Sequence, residues 1–278
     1  MKEKARAKIN LSLDVFRIRE DGYHDLRSVM LPIGLCDELD ISIAEEDSFF
    51  CKGRSFKVNE HNSILRMIRL LKERFAISDH YAICLDKQIP IKAGLGGGTA
   101  DAAAALRIFE KLYDLKLSRE EIIELCLKIG ADVPFNYFNV PALVSGIGDE
   151  IQEIDVKKDY SVLLVKPRSG ISTKKAYEKL DMNLCDHPDI DRLKKALALG
   201  KDLGGLLGNS LEQPAMALNR QIPLIRDRLK ALGAKNVLMS GSGSAVFCID
   251  EEEEEIARLY QAMCGQGYYV FFTRTLNR

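Results

Sequence analysis

From Ala5 to Val15 the chain alternates strictly. Ala5, Ala7, Ile9, Leu11, Leu13 and Val15 fall on one side, and Arg6, Lys8, Asn10, Ser12 and Asp14 on the other. A period of two predicts a β-strand with one apolar face. Residues 37–45 repeat the alternation, and residues 81–90 read as a further strand. Helical spacing takes over at 62–75, with Asn62 placed to cap, and again at 99–113, where Ala102, Leu106, Phe109 and Tyr113 share a stripe. Residues 118–129 open with Ser118 and Glu121 at capping-box spacing, and Gly130 is expected to end that helix as its C′ residue.

Residues 142–154 predict strand, turn and strand, and the charged stretch Asp155–Tyr160 reads as a linker. A strand at 160–167 then opens a second alternation of elements. Helices are expected near 189–199 and 214–232, strands through Val237–Met239 and at 245–249, and a helix before a last strand at 268–275. The acidic run Glu251–Glu255 follows Asp250, an expected N-cap, and would place five carboxylates where the helix dipole favours them. Helices against antiparallel or mixed sheets in two halves predict an α+β protein of two domains, residues 1–155 and 156–278.

Composition narrows the class. Forty Lys plus Arg against forty-one Asp plus Glu leave a net charge of -1, which argues against a dedicated nucleic-acid binder. No apolar run is long enough for a signal peptide or a membrane span, so no membrane partner is expected. The seven cysteines are scattered, and no pair has CxxC spacing, so neither a zinc site nor a disulfide framework is indicated. A reducing cytoplasm is the expected location.

Five segments could carry chemistry. In IPIKAGLGGGTADAAAALRIFEKLY (89–113), Gly94, Gly96, Gly97 and Gly98 run directly into a helix. Free amides and the positive end of the dipole make that junction an anion cradle, with Thr99 adding a hydroxyl where a phosphate or its Mg²⁺ would sit. The alternative use of such glycines is close packing at a helix entrance. No Lys–Ser/Thr pair closes them as in a Walker loop, and a dinucleotide fingerprint would need glycine at Thr99. In GADVPF (130–135), Asp132 precedes Pro134, which is expected to hold Val133 extended. Asp132 is then either a proton acceptor in a tight corner or an ordinary turn residue. Lys8 and Asn10 stand side by side on the first strand, as a wet sheet face or as part of a site. DGYHDL (21–26) sets Tyr23 beside His24, a stacking ring next to an imidazole. MSGSGSAVF (239–247) is a plain hairpin or a second set of backbone donors.

AKINL (7–11), DGYHDL, PIKAGLGGGTADAA (90–103), GADVPF and SGSGSAVF (240–247) occur in the order found in the GHMP small-molecule kinases, and the chain resembles that family over nearly its whole length. Within it, AKINL, GYH and GADVPF point to the branch whose acceptor is a cytidine diphosphate-linked methylerythritol. The resemblance implies a ribosomal-protein-S5-like N-terminal domain, a ferredoxin-like C-terminal domain and phosphoryl transfer from ATP with Mg²⁺. It puts the catalytic positions on Lys8 and Asp132. The ATP segment falls on Pro90, Ile91, Lys92, Ala93, Gly94, Leu95, Gly96, Gly97, Gly98, Thr99 and Ala100. Tyr23 and Tyr177 would sandwich the cytosine and His24 would read its edge. Asn10 would contact the erythritol portion, and Thr173 would lie near the diphosphate. No metal-ligating side chain is implied, and a monomer or weak homodimer is expected. Three departures stand out: Ala100 where a second hydroxyl is usual, Asn139 and Pro141 where a glycine is usual, and Ser210 where Asp is common. A GHMP kinase for another small alcohol, or a nucleotide-binding homologue without turnover, would fit the same glycines.

Overall fold

The computed structural model describes residues 1–20, 22, 24–53 and 58–277. In chain order the first elements are β1 (Lys2–Ile18), β2 (His24–Ala44), β3 (Ser48–Gly53), α1 (Ser63–Phe75), β4 (His80–Lys87) and α2 (Gly97–Leu112). Next come α3 (Arg119–Leu127), α4 (Val133–Phe138), β5 (Ala142–Gly146), β6 (Glu150–Glu153), β7 (Ser161–Lys166), α5 (Thr173–Glu178) and α6 (Ile190–Leu199). The chain closes with β8 (Gly208–Asn209), α7 (Glu212–Leu218), α8 (Gln221–Ala231), β9 (Val237–Met239), β10 (Val246–Asp250), α9 (Glu253–Met263) and β11 (Tyr269–Arg274).

Two compact units share these elements. The first comprises Met1–Ala7, Leu35–Pro90 and Gly96–Asn139; the second comprises Lys8–Gly34, Ile91–Leu95 and Val140–Arg278. No single cut separates them, and Asp155–Tyr160 lies inside the second.

In the first unit β4 pairs antiparallel with β2, Glu38 opposite Asp86 and Ala44 opposite His80, and parallel with β3. Its core joins Leu39 and Ile41 of β2, Tyr81 and Leu85 of β4, Ile64, Met67 and Leu71 of α1, and Phe109 of α2. Ala102–Ala105 are all buried, so α2 is covered on more than one side, and small side chains let its neighbours approach. Asn62 caps α1 by accepting from the Ile64 and Leu65 amides, and the Ser118–Glu121 capping box forms in full.

The second unit is built on an antiparallel sheet ordered β11-β7-β10-β9. Helices α8 and α9 pack on it around Leu163, Val165, Ile225, Leu229, Val246 and Leu259. The first half of β2 pairs with β5, and β5 with β6, giving the hairpin expected at 142–154.

Four local expectations are corrected. Gly130 does not adopt a left-handed cap; α3 ends at Lys128 in helical geometry. Val133 is not extended but opens α4, because a proline in the first helical turn lacks only an N–H that would be orphaned anyway. The helix expected at 214–232 is two helices. Asn219 between them is extended and accepts from the Gln221 amide, since Pro223 in a continuous helix would collide with the carbonyl four residues back. Asp250 ends β10 and accepts from the Glu252 amide, so α9 starts at Glu253, with three acids rather than five in its first turn. Among the described residues no helix is long and apolar enough to cross a membrane.

Candidate active site

The polar side of β1 is not a wet face. Lys8 is 3% exposed, Asn10 1% and Ser12 0%. Buried polar groups need partners, and these form a chain. Lys8 Nζ donates to Asn10 Oδ1 at 2.7 Å, Asn10 Nδ2 to Ser28 Oγ at 2.8 Å, and Ser28 Oγ to the Ser12 carbonyl at 2.5 Å, while Ser12 Oγ accepts from the Val29 amide at 3.1 Å.

The cover over this face is the loop after β9. Ser240 Oγ accepts from the Asn10 amide at 3.4 Å and donates to the Gly94 carbonyl at 3.0 Å. A Cβ on Gly241 would lie 3.2 Å from both Lys8 Nζ and Asn10 Oδ1. Asn209 Nδ2 holds the loop open by donating to the carbonyls of Met239 and Gly241, at 2.9 and 2.8 Å. The 91–95 segment is bound into the same assembly, as the Lys8 amide donates to the Leu95 carbonyl and the Ala245 amide to the Ala93 carbonyl. Gly94 has φ +75° and a Cβ there would collide with the Ser240 carbonyl, so glycine is required by both conformation and space. MSGSGSAVF is therefore a hairpin by pairing, Val246 opposite Met239, whose connection also packs on Lys8, Asn10 and Gly94.

In the first unit Gly96 takes the left-handed region, φ 70°, as the N-cap of α2. The first intrahelical bond runs from the Ala100 amide to the Gly96 carbonyl at 2.8 Å. The amides of Gly97, Gly98 and Thr99 precede it and have no acceptor within the helix, the arrangement that binds anions. Gly98 is exposed, and a Cβ there would meet only Ser63 Oγ, at 3.5 Å. Thr99 Oγ1 lies 2.8 Å from the Gly96 carbonyl and 2.9 Å from Asn136 Oδ1, so its hydrogen is directed inward and its lone pairs are left to accept. Ala100 is buried in the apolar cluster, so a hydroxyl at that position would point into the core.

Asp132 is half-buried at the N-cap position of α4, in helical geometry. Its turn is fastened to the start of α2: Thr99 meets Asn136 of α4, a Cβ on Gly130 would lie 3.5 Å from the Thr99 methyl, and Arg107 donates to the Asn136 carbonyl at 2.9 Å. The glycine-led helix and the GADVPF turn are thus neighbours. At the other end of α4, Asn139 takes the left-handed region (φ 53°) that its amide side chain tolerates, so the turn survives without glycine.

Beneath α2 lies an ionic cluster that the sequence did not announce. Lys87 (3% exposed) donates to Asp37 Oδ2 and, at 2.6 Å, to Asp101 Oδ2. Burial works to lower the Lys87 pKa, but the two carboxylates outweigh it and hold it above its usual value. Burial, reinforced by the Asp37 carboxylate and opposed by Lys87, pushes Asp101 up to about 7.

In the second unit the His24 and Tyr177 rings are 4.8 Å apart, tilted at 50°. Burial lowers the His24 pKa, favouring the neutral imidazole, which can both donate and accept. Thr173 Oγ1 and Ser242 Oγ are 2.8 Å apart, so Thr173 joins the 240–244 loop. Tyr23 lies outside the described residues. Ser210 is buried, accepting from the Val15 amide and donating to the Asp186 carbonyl, a structural use of its hydroxyl. Ser28 was not singled out in the sequence at all, and Asn209 and Ser240, though inside segments that were, were given no role of their own there. Each is a polar residue inside or beside an apolar strand, the one local sign available.

The likeness to known proteins marks the chain as a two-domain α+β small-molecule kinase. The GHMP kinases N terminal domain matches residues 62–146 and the GHMP kinases C terminal domain residues 182–268. A Streptococcus uberis protein, provisionally named a 4-diphosphocytidyl-2-C-methyl-D-erythritol kinase, is 41% identical over 278 residues, 99% of this chain and 98% of its own. A Bacillus cytotoxicus protein named as that kinase is 37% identical, over 99% of this chain and 96% of its own. The crystal structure of a 4-(cytidine 5'-diphospho)-2C-methyl-D-erythritol kinase matches with a TM-score of 0.83 at 30% identity, covering 99% of this chain and 100% of that one. The chain belongs to the GHMP kinase family, on the branch that carries this name. It is a phosphotransferase, and ATP is the donor that GHMP kinases use.

Proposed function

We propose that the chain transfers the γ-phosphoryl group of ATP to the 2-hydroxyl of 4-diphosphocytidyl-2-C-methyl-D-erythritol. The substrate assignment rests on the full-length relatives that bear the name. The observation that supports the mechanism is the packing of the turn that carries Asp132 against Thr99, at the helix start suited to phosphates. In this reading the Gly97–Thr99 amides hold phosphate oxygens, Asp132 accepts the hydroxyl proton, and Lys8 offsets charge on the transferring group. His24 and Tyr177 bind the cytosine, Asn10 the erythritol portion, and Thr173 the diphosphate.

Among the described residues no three His, Cys, Asp or Glu side chains cluster to hold a metal. In this reading Mg²⁺ would arrive on the nucleotide, an ion that keeps water and phosphate ligands rather than an all-protein cage. Such an ion would supply positive charge against the phosphates during transfer. Thr99, whose hydroxyl hydrogen is directed inward and whose lone pairs are left to accept, is the residue that would help hold the ion's hydration shell.

Turnover with γ-labelled ATP and a panel of alcohols tests the reading. Label is expected in the cytidine-linked acceptor, not in homoserine or mevalonate, with inhibition by CMP. Labelling of another alcohol, insensitive to CMP, would assign a different GHMP kinase. Asp132→Asn should lower kcat by roughly 10²–10⁴ with ATP affinity nearly intact.

A further inference from the structure

We infer that Asp37, Lys87 and Asp101 form a clasp that positions the phosphate-binding amides of α2; the inference builds on the assignment of ATP to that helix start. The three side chains are 0%, 3% and 3% exposed. They come from β2, the end of β4, and the second turn of α2. Buried ion clusters are weak sources of stability, because desolvation offsets much of the attraction. Stability alone is therefore a poor reason for charge here, and the reason is to be sought in what the cluster touches.

It touches both ends of the glycine-rich segment. Asp37 Oδ1 accepts from the Gln88 amide at 2.6 Å and the Ile89 amide at 2.8 Å, the last two residues before Pro90. Asp37 Oδ2 and Asp101 Oδ2 both accept from Lys87, so the ammonium bridges the entry of the segment to the helix that leaves it. A Cβ on Gly97 would lie 3.2 Å from Lys87 Nζ and 2.9 Å from Ile89 Cγ2. Glycine there lets the amide-bearing turn rest directly on the bridge. Asp101 Oδ1 has no hydrogen-bond partner among the described residues, a cost that a purely structural residue at this position would avoid. Two charged bonds of fixed direction specify the offset between strand end and helix start more sharply than apolar contact would. These are positioning residues, acting on ATP through the backbone of Gly97–Thr99.

Two variants separate this from a role in stability. Asp101→Ala leaves Lys87 paired with Asp37 and suits a helix, while removing the bond to α2. Asp101→Asn keeps a carbonyl oxygen for Lys87. Amide hydrogen exchange at the hydrogen-bonded amides that open α2, residues 100–104, measured on the full chain without nucleotide, is expected to quicken roughly tenfold in Asp101→Ala and to stay as wild type in Asp101→Asn. KM for ATP should rise by about the same factor in Asp101→Ala, with kcat within about twofold and KM for the acceptor unchanged. Wild-type exchange and wild-type KM in a folded Asp101→Ala protein would overturn the inference, as would equal impairment of both variants. If Asp101→Ala does not fold, the D37N/K87M/D101A protein, with no ionisable group left in the cluster, receives the same measurement. Faster exchange there supports the clasp and unchanged exchange refutes it. Wild-type protein that fails to bind a fluorescent ATP analogue would instead refute the nucleotide assignment, while the exchange data would still judge the clasp.

Discussion

Two buried lysines, one in each unit, end in different company. Lys8 donates to the amide oxygen of Asn10, the head of a chain of neutral groups that runs through Ser28 to Ser12. Lys87 donates to two carboxylates and is enclosed by them. Equal burial thus hides unequal commitment. Deleting the first lysine takes a donor from Asn10, whereas deleting the second leaves two buried carboxylates without the ammonium they share. The same substitution at the two positions should therefore fail in opposite ways.

Lys8→Met is expected to lower kcat by about 10²–10³ while costing roughly 1–3 kcal/mol of stability for the hydrogen bond lost to Asn10; steady-state kinetics beside urea unfolding would show both. Lys87→Met should cost about 3–5 kcal/mol, enough to lower the urea midpoint sharply, because its two aspartates lose their counter-ion. If the two proteins unfolded at the same midpoint, the contrast between the lysines would be false.

Asp101 sharpens the comparison through pH. Its folded pKa is raised from 3.8 to about 7, mainly by burial, so the folded state holds this proton more tightly than the unfolded state. On this group's account stability is highest below about pH 4 and falls as pH rises towards 7. Asp101→Asn should remove that slope from the urea midpoint; a slope unaltered by the substitution would place the raised pKa elsewhere. The smallest effect concerns the departure at Ala100. Ala100→Ser puts a hydroxyl into the apolar cluster, and the loss is expected to be about 1 kcal/mol with ATP affinity unchanged. A gain in ATP affinity would show that the second hydroxyl does reach phosphate.

Most elements were legible because their signals are local. Asn62, the Ser118–Glu121 pair and the stripe of 99–113 each act within a turn or two of the chain. The wetness of β1 was not legible. Its alternation is real, but what dries Lys8 and Asn10 is a loop some 230 residues later, tied down by Ser240. The division of 214–232 was visible in principle, since Pro223 cannot sit in mid-helix, yet the surrounding apolar spacing masked it. The clasp draws on positions 37, 87 and 101, for which no spacing rule exists. Its one local trace is an acid in the second turn of α2 amid buried alanines. Tertiary neighbours, rather than propensity, decided each of these.

The account turns on where a triphosphate sits. A crystal structure of the chain with a non-hydrolysable ATP analogue should show phosphate oxygens within hydrogen-bonding distance of the Gly97, Gly98 and Thr99 amides, with Asp132 and Lys8 facing the terminal phosphate. A triphosphate bound elsewhere, or one from which Lys8 and Asp132 both stand remote, would contradict it.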